Sequence, residues 1–189
     1  MTHKTSVNNS HEEVPMMLLY EYKSWRKELA KTQLKHWEDL PAMNLYVDQL
    51  VSVVNDQLNS LHVGEITKSM VNNYVKKGVI MAPVKKKYSA YQLAAVTVIA
   101  LLKNTYSLDD IKAGFAQVTV NNYPEAVYNR FVDLFNALLC EDKFPENEGI
   151  DEANEILLEL IAKSAYQRVL AVHLFAMMNE KQPPVQLKK

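Results

Sequence analysis

Residues 66–89, ITKSMVNNYVKKGVIMAPVKKKYS, set the narrowest limits on what this chain can fold into. Thr67 is of the type that caps a helix amino terminus, and Gly78 is free to take the left-handed conformation that closes one, so a helix of about two turns is predicted through Lys77. Past that glycine, Pro83 stands in the middle of VIMAPVKKKYS, with valine and tyrosine toward its ends, the pattern of an extended arm or small hairpin. Ser89 with Gln92 then forms a capping box for a helix from Ala90 to Lys103.

The rest of the chain reads as helix almost throughout. Leu18, Tyr22, Trp25 and Leu29 recur every three or four positions and predict an amphipathic helix to about His36. Pro41 breaks it. A second helix turns Leu45, Val47, Leu50, Val51, Val54 and Leu58 inward, leaves Asp48, Asn55 and Asp56 polar, and exits at Gly64. Ser107 with Asp110 caps a further helix, another runs from about Pro124 to Cys140, and a last one runs from Asp151 to about Asn179. Within that last helix VLAVHLFAMM is apolar on nearly every side, which calls for burial all round. Gly at 4 and Pro at 7 are few for a sheet protein rich in tight turns, so the fold class is all-α. The organisation expected is a disordered segment over 1–14, an N-terminal helix over 15–42, a basic module over 43–120, a C-terminal helical region over 121–181 and a frayed tail over 182–189.

Several function classes are set aside by what the residues lack. The longest nearly apolar run, Leu93 to Leu102, is far short of the roughly 20 residues a bilayer-spanning helix needs, so no membrane partner is expected. The amino-terminal stretch lacks the charge order of a secretory signal. Cys140 is the only cysteine; it suits a reducing, cytoplasmic setting and, beside Leu138 and Leu139, reads as a buried thiol. His36, His62 and His173 lie far apart and form no ligand spacing, so each reads as structural and no metal or other cofactor is expected. No nucleophile elbow or phosphate-cradling glycine loop occurs, and no enzymatic activity is expected.

Charge is uneven along the chain. Residues 1–42 carry six acids and six bases, 43–103 three acids and seven bases, and 104–189 thirteen acids and eight bases. The formal net charge of −1 thus hides a basic middle beside an acidic tail. Residues 66–89 hold six lysines and no acid. On a helix beginning at Lys68, positions Lys68, Ser69, Asn72, Asn73 and Lys76 share one face, while Val71, Tyr74 and Val75 point toward the core. Asparagine can pair two hydrogen bonds with an adenine edge in the major groove, and lysines such as Lys76 and Lys77 can hold phosphates on either side. Lys85, Lys86 and Lys87 on the arm would lie over a backbone or minor groove with Tyr88 packing at the base. The partner this implies is double-stranded DNA.

Helix, tight connection, helix, extended arm, helix is the order of a winged helix-turn-helix, and three motifs within it carry a resemblance. VNNYVKKGVI resembles the MerR-family recognition helix, usually Leu, Arg, Tyr, Tyr, Glu, Arg, any, Gly, Leu, Ile; Val71, Tyr74, Gly78, Val79 and Ile80 keep that frame. KKKYSAYQL is similar to that family's Arg, Arg, Tyr, Ser segment leading out of the wing, and YSLDDIK resembles its Phe, Ser, Leu, Glu, Glu, Ile, Lys motif. TKSMVNNYVKKG and PVKKKYS also resemble an uncharacterised bacterial set, the domain-of-unknown-function family eighteen-thirty-six, over roughly residues 40–140. The resemblance implies a MerR-like winged helix-turn-helix followed by additional C-terminal helices. Asn72 and Asn73 replace the usual Arg and Tyr, and the wing lacks the Gly or Asn of a usual tip. The function expected is a DNA-binding transcription regulator acting as a homodimer, its small-molecule effector, if any, unknown; the alternative is a protein-interaction adaptor that keeps the fold without binding DNA.

Overall fold

The computed structural model describes residues 10–181. In chain order these form α1 (Ser10–Leu29), a 3-10 turn at Trp37–Asp39, β1 (Leu45–Tyr46), α2 (Val47–Leu58), a 3-10 turn at Asn59–Leu61 and α3 (Lys68–Lys76). There follow β2 (Lys87–Tyr88), α4 (Ala90–Leu102), α5 (Leu108–Val118), α6 (Pro124–Cys140) and α7 (Glu152–Lys181). The only sheet among the described residues is the antiparallel pair β1–β2, with Leu45 opposite Tyr88 and Tyr46 opposite Lys87. The all-α expectation holds. The 182–189 tail and residues 1–9 lie outside the described residues, and Ser10–Val14, expected to be disordered, belong to α1.

The axis of the core is α4, in which ten of thirteen residues are buried, so that every face is covered. Its capping box forms as the sequence predicts: the Ser89 backbone N–H donates to Gln92 Oε1 at 2.8 Å. The corresponding box on α5 also forms, with Ser107 Oγ accepting from the Asp110 N–H at 3.1 Å. Against α4 lie α2, through Leu50, Val54 and Leu58, and the pair α6 and α7, which run side by side in the same direction: Asn122, just before α6, bonds Asp151, just before α7. A buried ion pair joins α6 to α7, Arg130 to Glu155, and Arg130 Nη1 also donates to the Glu146 carbonyl at 3.3 Å.

Three expectations are corrected here. The first helix stops at Leu29 instead of His36, because one face of α6 offers better partners to the extended chain that follows. Asn136 takes both backbone groups of Leu34 at 2.8 and 3.0 Å, Asn129 Oδ1 accepts from the Trp37 N–H at 2.7 Å, and the Tyr128 hydroxyl donates to the Lys35 carbonyl at 3.0 Å. Burial pushes that hydroxyl's pKa up to about 12. Cys140 is exposed, not buried, since the last turn of α6 gives Leu139 to the core and leaves Cys140 on its outer side, where the thiol donates to the Ala30 carbonyl. The apolar second half of α7 is not enclosed within the chain: Val169 is its last buried residue, and Val172, Phe175 and Met178 are exposed. Its neighbour there is α1, joined by Trp25 stacked on His173 at 3.7 Å and by Lys181 to Glu21 at 2.6 Å.

Candidate nucleic-acid interface

The connection from α2 to α3 is longer than a three-residue turn, and side chains from two helices fix its path. Asn55, in the interior of α2, binds both backbone groups of Ile66, donating to its carbonyl at 3.0 Å and accepting from its N–H at 2.8 Å. Lys103, just past α4, donates to the carbonyls of Gly64 and Glu65 at 3.0 and 2.9 Å, and Asn104 to that of Val63 at 3.1 Å. Partial burial lowers the Lys103 pKa. Gly64, at φ +82, supplies the left-handed bend that a side chain would strain. Periodicity marks Asn55 only as a polar position of α2, and nothing local in the sequence points to its bond with Ile66. A lysine or asparagine immediately after an apolar helix is the one sequence signal that marks Lys103 and Asn104, since such residues satisfy carbonyls at helix and loop ends.

The α3 helix starts as predicted, with Thr67 Oγ1 accepting from the Met70 N–H at 3.3 Å. It ends at Gly78, φ +64, where the Gly78 N–H reaches the Val75 carbonyl and the Val79 N–H the Tyr74 carbonyl, both at 2.9 Å. That is a Schellman closure. From α5, Lys112 Nζ adds a donor to the freed Lys77 carbonyl at 3.3 Å. Val71 and Tyr74 are buried, and Lys68, Ser69, Asn72, Asn73, Lys76 and Lys77 are all exposed, so the two faces divide as the spacing implies. The Tyr74 ring belongs to the core and its hydroxyl is buried without a partner.

Residues 79–88 form the small hairpin. Val84 and Lys87 exchange backbone hydrogen bonds at 3.1 and 2.9 Å, which leaves Lys85 and Lys86 alone as a two-residue tip. Both have positive φ, +50 and +65, as a right-twisted two-residue hairpin demands and as Asn-Gly would adopt at far lower cost. Lys85, Lys86 and Lys87 are exposed, whereas Tyr88 is 4% exposed and supports the arm from beneath.

The start of α2 ties the two basic segments together. Lys68 Nζ pairs with Asp48 at 2.6 Å, and Lys87 Nζ lies 5.3 Å from the centroid of the Tyr46 ring. Those partners are two residues apart, so the amino end of α3 and the base of the hairpin meet at one corner. Lys68 is therefore partly neutralised, while no salt bridge engages Lys76, Lys77, Lys85 or Lys86 among the described residues. No acid stands in the first turn of α3, leaving its helix-dipole end positive.

The family model Domain of unknown function (DUF1836) matches residues 35–131, just over half of the chain. The chain belongs to that family. No curated protein and no solved structure matches it. The DUF1836 segment holds the whole of α2, α3, the hairpin and α4, and so every exposed lysine and asparagine just described. Among the described residues no helix is long and apolar enough to cross a membrane, and no group of three His, Cys, Asp or Glu side chains could hold a metal ion. His62 and His173, far apart in sequence, do come together, their rings 5.6 Å apart in a column with Trp25.

Proposed function

We propose that this DUF1836 protein is a sequence-specific double-stranded-DNA-binding regulator of transcription, a MerR-like winged helix-turn-helix with α3 as recognition helix and the hairpin as wing. The observation that carries the reading is the hairpin tip. Two lysines occupy positions where an L side chain costs about 1–2 kcal/mol each, on a hairpin whose base meets the amino end of α3, the helix that presents Asn72, Asn73 and Lys76 to solvent. A tip chosen for folding alone would be Asn-Gly; a tip chosen for cationic contact accepts the strain. Asn72 and Asn73 then discriminate bases, and the lysines neutralise phosphates.

A lone small module reads few base pairs, and two-fold pairing doubles them. The surface that supports a homodimer is the seam of α1 and α7, where Met16, Tyr20, Val172, Phe175 and Met178 are exposed. Light scattering of the full chain that shows only monomer at micromolar concentration refutes the pairing.

The test of DNA binding is fluorescence anisotropy on duplex fragments selected from a genomic pool, at rising salt. Asn72→Ala is expected to cost about 1–3 kcal/mol on the preferred site and much less on random duplex. Lys86→Ala is expected to weaken both alike and to flatten the salt slope by about one. Absence of binding even at low salt ends this reading. It would favour an adaptor for an acidic protein segment, which one observation supports: Met43, Tyr46, Met81 and Val84 are exposed around the same lysines.

A further inference from the structure

A cavity of about 670 Å³ lies on the side of α4 away from α2, between α4, α5, α6 and α7. Well-packed cores contain few voids larger than a water molecule, and pockets that hold small ligands run from about 300 to 1,000 Å³. The wall is mostly aliphatic, with six aromatic rings set into it: Trp37, Tyr91, Tyr106, Phe115, Tyr128 and Phe131. No lysine, arginine or histidine reaches it. Its one carboxylate, Asp110, is taken up by the α5 cap, accepting from Ser107 Oγ at 2.6 Å. Three lining hydroxyls are also engaged, Tyr106 with Ser164 Oγ at 2.9 Å, Tyr128 with the Lys35 carbonyl, and Thr119 with the Phe115 carbonyl at 2.7 Å, which leaves the Tyr91 hydroxyl and the Gln117 amide with no hydrogen-bond partner among the described residues.

The wall formed by α5 is thin and carries an unexplained glycine. Only Ile111 and Val118 of its eleven residues are buried. Gly114 sits in its middle, in helical conformation, where glycine costs about 0.5–1 kcal/mol relative to alanine. No packing requires it, since a Cβ built there meets nothing within 4 Å. Its effect is to leave the cavity open.

We propose that this cavity is a binding site for an uncharged, largely apolar small molecule containing a ring system. An anion finds no cation there, and a cation finds its carboxylate already hydrogen-bonded. A helix of a partner protein is too large, because one helical turn, about 10–12 Å across and 5.4 Å tall, takes on the order of 400–600 Å³, leaving room for little more than a turn. The site is independent of DNA binding, so it stands or falls separately from the function proposed above.

The test uses the full chain and the neutral fluorophore N-phenyl-1-naphthylamine. The expected result is a saturable, one-to-one rise in emission that is weakened at least tenfold by Gly114→Leu and by Ala95→Leu, both of which fill the cavity. Phe175→Ser, on the exposed seam of α7, should leave it unchanged. In the unaltered protein the methyl resonances of Ile111 and Leu157, which line the cavity, should move with saturation. Absence of saturable binding overturns the proposal, as does binding indifferent to both cavity variants or abolished by Phe175→Ser. If either variant loses its helical circular-dichroism signal, the methyl shifts decide: movement at Ile111 and Leu157 supports the site, and movement confined to Val172 overturns it.

Discussion

Replacing the hairpin tip by Lys85→Asn with Lys86→Gly should make the protein more stable and a weaker DNA binder in one step. Both lysines sit at positive φ, +50 and +65, each at a cost of about 1–2 kcal/mol. Asparagine tolerates that region and glycine is free in it, but the glycine returns about 0.5–1 kcal/mol through the greater entropy of the unfolded chain. The net gain is about 1–2 kcal/mol, which for a chain of this size raises Tm by roughly 2–8 °C. Circular dichroism on heating measures it. On the proposed reading the same exchange removes two phosphate contacts, so the slope of log K against log salt should shrink by about 1.8, a loss on the order of 50-fold at 0.1 M salt. Anisotropy on random duplex measures that. A variant less stable than the parent refutes the left-handed tip. A variant that gains stability and keeps its salt slope refutes phosphate contact by Lys85 and Lys86, and with it the role given to the wing.

Tyr74→Phe removes a buried hydroxyl that has no partner and should raise stability by about 1 kcal/mol in urea unfolding; a loss of stability would mean that the hydroxyl is bonded. Glu155→Gln leaves the buried Arg130 guanidinium uncompensated and should cost on the order of 3 kcal/mol, most of it recovered when Arg130→Met and Glu155→Leu are made together. Burial, then the neighbouring His62, holds the His173 pKa below its ordinary 6.5. The unfolded chain therefore takes up a proton before the folded one does, and stability falls as pH drops from about 6.5 toward the lower folded value. His173→Phe keeps a ring against Trp25 and should shrink the stability lost between pH 7.5 and pH 5 in thermal unfolding; an unchanged loss would remove His173 as its source.

What the sequence made legible was whatever local chemistry decides. Thr67, Gly78 and the boxes Ser89–Gln92 and Ser107–Asp110 act within four residues of themselves, and the helix ends they predict are the ones observed. The exposed face of α3 was legible for the same reason, because the 3.6-residue period assigns Asn72 and Asn73 to the side opposite Val71 and Tyr74. The failures all involve partners distant in sequence. The extended path after Leu29 depends on Asn129 and Asn136, about one hundred residues away. Asn55 gave no sign that it would hold Ile66, and the charge count could not show that Asp48 would pair with Lys68. The absence of Gly or Asn at the hairpin tip is visible in the sequence, but its meaning is not. Only the backbone angles show that Lys85 and Lys86 stand where those residues would be expected.

The same division explains why binding and folding should separate so cleanly under mutation. One cluster of buried side chains runs from Leu29 to Val169 and includes Val132, Leu134, Phe135 and Ala162, all beyond the segment that the family model matches. The exposed lysines and asparagines contribute little to that core. Their positions are set at one remove, by Asn55, Lys103, Asn104 and Lys112 acting on backbone carbonyls and amides. On the proposed reading, Asn72→Ala and Lys86→Ala act on the partner without touching the core. Changes along α4, α6 or α7 act on the single core, and through Lys103 and Asn104 on the approach to α3. A variant that loses duplex binding and stability together belongs to the second group, and one that loses binding alone belongs to the interface.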